Sequence, residues 1–288
     1  MEKTANNELK KGLGIKARRM LAYVVLTIVS FLCLFWFYVL IVNATRSHAE
    51  IQLGFSALPG SSFIENWLEV VNGSLPIWTG LLNSVIVSTC SAVLCVYFST
   101  MTAYAIHAYD FKGKTAMFRF ILMIMMIPTQ VTALGFIQLI QGMKMEDNLL
   151  PLIIPAIAAP VTFFYMKQYM ESALPLEIIE AARIDGSGEF KTFNTIVLPL
   201  MKPAIAVQAI FTFVSSWNNY FTPALILHKA EVKTLPLLIA QLRSADFLKF
   251  DMGQVYVMIA FSIFPVVLVY LILSRHIVQG VAMGSVKG

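Results

Sequence analysis

Side chains able to do chemistry are sparse in this 288-residue chain, and their densest gathering is one stretch, EAARIDGSGEFKTFNTIVLPL, residues 180–200. It is compact, charged and helix-forming, has a glycine and a proline at its joints, and lies between long apolar runs. A second candidate, Gly113-Lys114-Thr115, has the ending of a phosphate-binding loop. That pattern requires a leading glycine where this chain has Ala108, and a preceding strand where it has an apolar helix, so the segment reads as a basic turn. Cys33, Cys90 and Cys95 fall inside apolar runs without pairing or metal-ligand spacing and read as packing residues. Amides form a third set, with Gln130, Gln138, Gln208, Asn218 and Asn219 inside the apolar runs, the last two flanked by Trp217 and Tyr220. Asn218 and Asn219 can hydrogen-bond a solute while the flanking rings stack on it, although amides inside membrane bundles more often join neighbouring helices. No catalytic, cofactor-binding or metal-ligating residues are expected.

The elements that must hold these groups are membrane helices. The chain is 58% hydrophobic and only 13% charged, far from the usage of soluble domains. A hydrocarbon core about 30 Å thick takes roughly 20 helical residues to cross. Six runs meet that length, at about 21–42, 80–106, 118–140, 149–169, 203–227 and 255–274. The first run is longer than a signal-peptide core and lacks a small-residue cleavage site after it, which favours an uncleaved helix. Lys and Arg concentrate on one side of the resulting topology: Lys3, Lys10, Lys11, Lys16, Arg18, Arg19, Lys112, Lys114, Arg119, Lys167, Arg183, Lys191, Lys202, Arg275 and Lys287, against Arg46, Lys144, Lys229, Lys233, Arg243 and Lys249. Both termini are therefore expected in the cytoplasm, and the net charge of +5 reflects topology rather than nucleic-acid binding. The expected organisation is a leader at 1–20, a first helix at 21–42, an external loop at 43–79, a five-helix core at 80–274, and a tail at 275–288. The core includes a cytoplasmic loop at 171–200 and an external loop at 228–254.

The span centres carry no charge, whereas ion-coupled transporters and intramembrane enzymes usually bury ionisable groups there. Energy for uphill movement would have to come from a partner, which directs attention to a cytoplasmic coupling surface. In the loop at 171–200, Pro175 suits a first turn, Glu177 and Glu180 favour the positive helix end, and Ile178, Ile179, Ala182 and Ile184 mark an apolar side. Gly186 can take the left-handed conformation that ends a helix. Ser187 can cap a second helix running through Phe190, Phe193 and Ile196 to Pro199. From composition alone, a loop that merely covers its own helix ends is an equal reading.

The spacing Glu180-Ala181-Ala182, then Gly186, then Ile196, Leu198 and Pro199 resembles the EAA motif of permease subunits in ATP-binding-cassette importers. ENWLEVV (65–71), LLNSVIVSTCSAVL (81–94), MMIPTQVTALGFIQLIQ (125–141), SSWNNYFTPALIL (215–227) and GVAMGSVKG (280–288) are similar to the carbohydrate branch, in particular its shorter MalG-type subunit. The resemblance implies an all-α integral membrane fold with six transmembrane helices, a type I importer (MetI-like) permease core and a cytoplasmic EAA coupling helix. It implies that Glu180, Ala181, Ala182, Arg183, Asp185 and Gly186 contact the ATPase, with Gly284, Ser285 and Lys287 of the tail reaching the same partner. A possible substrate path is Gln130, Trp217, Asn218, Asn219 and Tyr220. Two ATPase subunits carrying ATP and Mg, a second related permease, an external sugar-binding protein and the lipid bilayer are the implied partners, in a bacterial or archaeal cytoplasmic membrane. The loop at 228–254 would face the binding protein, or lie as an interfacial helix. Rival readings are an importer for a non-sugar solute such as a phosphorylated polyol, a secondary transporter, and a membrane scaffold.

Overall fold

The computed structural model describes the backbone of residues 2–244 and 250–284, with side chains described over 16–128, 131–244 and 250–275. In chain order its helices are α1 (Glu2–Ala44), α2 (His48–Gln52), α3 (Phe63–Asn72), α4 (Ile77–Ala108), α5 (Lys114–Ile124), α6 (Thr129–Gly142), α7 (Leu150–Ile153), α8 (Pro160–Ala173), α9 (Leu176–Ile184), α10 (Glu189–Thr192), α11 (Leu198–Leu200), α12 (Lys202–Trp217), α13 (Phe221–Ile226), α14 (Leu235–Arg243) and α15 (Met252–Gly284). No strand occurs among the described residues. Four stretches are long and apolar enough to cross a bilayer: Lys16–Ala44, Ile77–Ala108, Leu150–Ala173 and Met252–Arg275. A fifth appears if Glu189–Leu200 and Lys202–Trp217, which meet at 81°, count as one broken span.

Three of the six expected runs are broken by bends or turns, and proline explains much of this. The run at 118–140 divides into α5 and α6 at Pro128, whose ring removes a backbone donor and pushes its predecessor out of the helical region. The run at 149–169 passes from α7 through a 3-10 turn at Ile154–Ile157, breaks at Ala158 and Ala159, and restarts with Pro160 opening α8. The run at 203–227 breaks between α12 and α13. Pro265 lies inside α15 without ending it.

The chain divides into two units. The first comprises residues 1–73 and 246–261. Its span Lys16–Ala44 is unburied in the spanning window, an all-round apolar surface suited to lipid or another helix. At the end of α1, Arg46 is only 7% exposed. Its guanidinium donates to Asn43 Oδ1 (3.2 Å), to Gly54 O (2.9 Å) and to Glu50 O. Ser47 and Glu50 form a reciprocal capping box on α2, and the buried Asn66 amide donates to the Ala44 and Arg46 carbonyls (3.2 and 3.0 Å). A buried cation fully paired to carbonyls and an amide makes this cap a specified structure.

The second unit comprises residues 74–245 and 262–288. Its centre is α4, which buries Val87, Ser88, Ser91, Ala92, Cys95, Val96, Ser99, Thr100 and Ala103. Small side chains of this kind let α8 and α12 approach closely. Cys95 Sγ donates to Thr162 Oγ1 of α8 (3.3 Å) and accepts from Thr212 Oγ1 of α12 (3.4 Å), tying three helices at one point. Cys33 and Cys90, by contrast, are exposed, so only Cys95 serves the expected packing role.

At the N-terminal end of α4, Asn83 Nδ2 donates to the Glu231 and Lys233 carbonyls (2.9 and 3.1 Å), and Ser84 Oγ accepts from Leu235 N (2.8 Å). Gly80 leaves room there for the buried Leu238 side chain, which an added methyl would strike. Within the loop at 228–254, α14 is seated on α4 through the buried Leu235 and Leu238. Asp246 and Lys249 lie outside the described residues.

The turn after α6 is fastened to the segment after α13. Asp147 N donates to Ile226 O (2.9 Å), and its carboxylate accepts from the backbone N–H groups of His228 (2.6 Å) and Lys229 (2.9 Å). Those bonds, led by the one from Lys229, hold the Asp147 carboxyl below the usual carboxylate range. Two non-glycine residues of this turn, Lys144 (φ 55°) and Asp147 (φ 54°), adopt the left-handed conformation. Beneath the turn Ile140, Ile226 and Leu227 form a small buried cluster.

Candidate functional site

Two features of the second unit answer to the sequence expectations: the turn between α9 and α10, and a polar cavity. Pro175, in extended conformation, precedes α9. The helix ends in a Schellman arrangement, with Gly186 N bonded to Arg183 O (3.0 Å) and Ser187 N to Ala182 O (2.9 Å). Gly186 has φ +76° and open space around it, so the left-handed backbone rather than crowding requires glycine there. Ser187 does not cap the next helix. Gly188 occupies the cap position, and the Ser187 hydroxyl accepts from Thr192 Oγ1 (2.9 Å). The second helix is also less regular than expected, a turn of α-helix followed by a π-turn at Phe193–Val197 and then α11.

Ile179 and Ala182 of α9 are buried with Leu174, Phe193, Val197 and Met201 in the main core. Ala182 is consequently turned into the chain itself, which corrects its expected place in a partner contact. Glu180, Ala181, Asp185 and Gly186 are exposed. The apolar side expected on α9 also divides: Ile179 and Ala182 face the core, while Ile178 and Ile184 face out. Ile184 is 87% exposed and Phe190, just across the turn, is 71% exposed.

Arg183 is occupied within the chain. Its Nε donates to Glu189 Oε1 (2.7 Å), closing the two arms of the turn, and its guanidinium lies 5.2 Å from the centre of the Tyr109 ring. The second Glu189 oxygen accepts from the Tyr104 hydroxyl (2.9 Å). The bond from Arg183 keeps the Glu189 carboxyl below its ordinary range and holds the Arg183 guanidinium more firmly protonated. Burial, and then the neighbouring Glu189, push the Tyr109 phenol up. His107 Nε2 donates to Leu174 O (2.9 Å). The turn is thereby braced to the C-terminal end of α4 by an ion pair, a phenol, a cation–ring contact and an imidazole.

The cavity has a volume of about 1060 Å³ and is walled by α4, α6, α7, α8, α12 and α13. Gln208, Thr212, Ser215, Ser216 and Asn219 line it from one side of α12 and its C-terminal end. Of the expected substrate path, only Asn219 stands on this wall, its Oδ1 accepting from Thr222 N (3.3 Å). Trp217 is a core residue instead. It is 2% exposed, donates to Ser262 O (3.1 Å) and stacks on Phe213. Asn218 and Tyr220 are exposed and do not line the cavity. The Gln130 side chain lies outside the described residues, as do Ser285 and Lys287; Gly284 ends α15. Gln208, one of the amides marked in the sequence, is joined on this wall by Thr212 and Ser215, which the sequence reading passed over; the three recur at helical spacing, and that recurrence was the available signal.

These features belong to a helical bundle with several helices apolar enough to cross a membrane, a cavity lined in part by hydroxyls and amides, and an exposed, braced turn. The family model "binding-protein-dependent transport system inner membrane component" matches residues 96–283, and the chain belongs to that family. It is 32% identical over 265 residues to the arabinooligosaccharides transport system permease protein of Bacillus subtilis (strain 168), covering 90% of this chain and 92% of that one. It is also 32% identical over 279 residues to the sn-glycerol-3-phosphate transport system permease protein of Yersinia enterocolitica, covering 95% and 97%. Among solved structures, a chain of a bacterial ABC transporter involved in the import of the acidic polysaccharide alginate superposes with a TM-score of 0.77 over 89% of this chain and 95% of that one, at 22% identity. That likeness establishes the fold.

Proposed function

We propose that this chain is the permease subunit of an ATP-driven, binding-protein-dependent importer of a sugar, an oligosaccharide of the kind named for the Bacillus relative. The observation that carries the reading is the turn between α9 and α10. A left-handed glycine sets its shape, Arg183–Glu189 and Tyr109 brace it, and Ile184 and Phe190 stand exposed on it. Large apolar side chains held rigidly in the open suit a protein socket. In this reading Glu180, Ala181, Asp185, Gly186, Ile184 and Phe190 meet an ATPase subunit, while Arg183 and Ala182 maintain the turn from within.

Two such ATPases bind ATP and Mg, and this chain contributes no catalytic group. A second, related permease completes the path, and an external binding protein delivers the solute. Closure of the ATPases draws the coupling turns together and converts the bundle from inward-facing to outward-facing; hydrolysis resets it. The six crossings are α1, α4, the α5–α6 pair, the α7–α8 pair, the α12–α13 pair and α15. Both termini lie in the cytoplasm, where the tail from Gly284, with Ser285 and Lys287, also meets the ATPase.

The test is purification of the tagged chain at native expression in mild detergent, with identification of its companions by mass spectrometry. An ATPase and a second permease are expected with the wild type, and Glu180→Lys should deplete the ATPase at least about tenfold, as for a lost charge-assisted contact. Recovery of the chain alone, with uptake insensitive to ATP depletion, would instead establish a secondary transporter.

A further inference from the structure

The cavity contains a polar group that the fold does not use. Gln208 is 7% exposed, yet its amide has no hydrogen-bond partner among the described residues. The amide atoms are not sealed from solvent but open onto the cavity, so a solute held there can take up the donors and the acceptor that the fold leaves free. Around it the wall repeats one chemistry. Ser215 and Asn219 follow on the same side of α12, while Thr162 of α8 and Ser91 of α4 also line the cavity. Phe211 and Phe221 add aromatic surface, and flat apolar faces alternating with hydroxyls are what a sugar ring presents. We propose that this cavity is itself a solute site for an uncharged, polyhydroxylated molecule, with the Gln208 amide as its anchoring hydrogen-bonding group.

Charge decides the solute class. None of the described lining residues is Asp, Glu, Lys, Arg or His. A phosphorylated or carboxylated solute would sit there without a counter-ion from this chain. The N-terminal turn of α8 borders the cavity through Val161 and Thr162, but a helix end supplies about half a positive charge, against nearly two negative charges on a phosphate monoester. A neutral solute needs only donors and acceptors, and an amide provides both. The volume, about 1060 Å³, is at the upper end of ligand pockets, roughly 300–1000 Å³, which suits a saccharide better than a three-carbon phosphate.

This inference rests on the importer reading, and the two fail differently. In the complete importer, reconstituted with its ATPase and binding protein, uptake of radiolabelled arabinotriose, maltotriose, raffinose and sn-glycerol 3-phosphate is measured for the wild type, Gln208→Leu, Gln208→Asn, Ser215→Ala and Glu180→Lys. The expected result is accumulation of an uncharged saccharide that Glu180→Lys abolishes. Gln208→Leu should raise its half-saturating concentration at least about tenfold, the equivalent of one lost hydrogen bond, with the ATPase and second permease still copurifying. Gln208→Asn should recover part of that loss, and Ser215→Ala, a small change at an exposed position that leaves the fold intact, should raise the value severalfold. Glu180-dependent uptake of the phosphate alone would overturn the cavity assignment and leave the importer reading standing. So would saccharide uptake with wild-type half-saturation in both Gln208→Leu and Ser215→Ala. Uptake of none of the four solutes by an assembled complex would overturn both readings.

Discussion

The turn at Gly186 and the turn at Asp147 solve the same backbone problem in opposite ways. Each reverses the chain through left-handed residues and each is fixed by a carboxylate. At Gly186 the left-handed position is given to glycine, the carboxylate of Glu189 is bound by side chains, and apolar residues are left in the open. At Asp147 the left-handed positions fall on Lys144 and Asp147, the carboxylate is bound by backbone N–H groups of another segment, and apolar residues are enclosed. The first turn is built to be met by something else; the second is closed on its own chain.

The largest effect expected from breaking this contrast is at Gly186. Gly186→Val forces a β-branched residue to φ +76°, a strain of about 1–3 kcal/mol. The turn can relieve that strain by opening, so uptake and ATPase association should fall at least about tenfold. Near-normal uptake would mean that the turn only covers its helix ends. Next comes the brace. Arg183→Leu should uncouple ATP hydrolysis from transport severalfold while the ATPase still copurifies, because Arg183 holds the turn without belonging to the docking surface.

Acidification probes the same pair. The Glu189 carboxyl lies lower in the folded chain than in the unfolded one, so its stabilising contribution is complete above the ordinary carboxylate range and is lost as pH falls through the depressed value. Protease accessibility of the turn should therefore rise on acidification in the wild type, and much less so in Glu189→Gln.

Smaller again is Asp147→Ala, which removes the acceptor of two backbone N–H groups. It should lower Tm modestly and open the segment around His228 to hydrogen exchange, leaving ATPase association unchanged. Its carboxyl is also depressed, so this fastening likewise weakens only toward acid. Least of all, Lys144→Gly should raise stability by up to about 1 kcal/mol, since a left-handed position costs an L-residue more than glycine. A loss of stability there would show that the Lys144 side chain has a role in the closed turn.

Sequence legibility varied with how local the deciding physics is. Gly186 could be assigned its conformation because helix termination is settled within a few residues. Which side of α9 faces inward could not be read, because Ile178, Ile179, Ala182 and Ile184 are equally suited to a core and only packing against Phe193 and Val197 separates them. Arg183 and Glu189 are six residues apart, and their pairing depends on the turn bringing two arms together. Trp217 and Asn218 stood out as sugar-binding types but point away from the cavity. Gln208 was visible as an amide within an apolar run, but its place on a wall comes from an empty volume that only the assembled helices enclose.

The bend at Met201 has a mechanical consequence. Glu189–Leu200 and Lys202–Trp217 meet at 81°, and the joint is set in the core, with both Met201 and Val197 fully buried. An elbow clamped in this way acts as a bell crank, turning a sideways pull on one arm into displacement along the other. Gln208 stands seven residues beyond the elbow, about 10 Å along the second arm at 1.5 Å per residue. In the proposed importer, the arm that would take the ATPase's stroke and the wall proposed to grip the solute are one continuous piece of chain, so loosening of the grip and tilting of the path would be timed by the same movement, with no separate latch to synchronise.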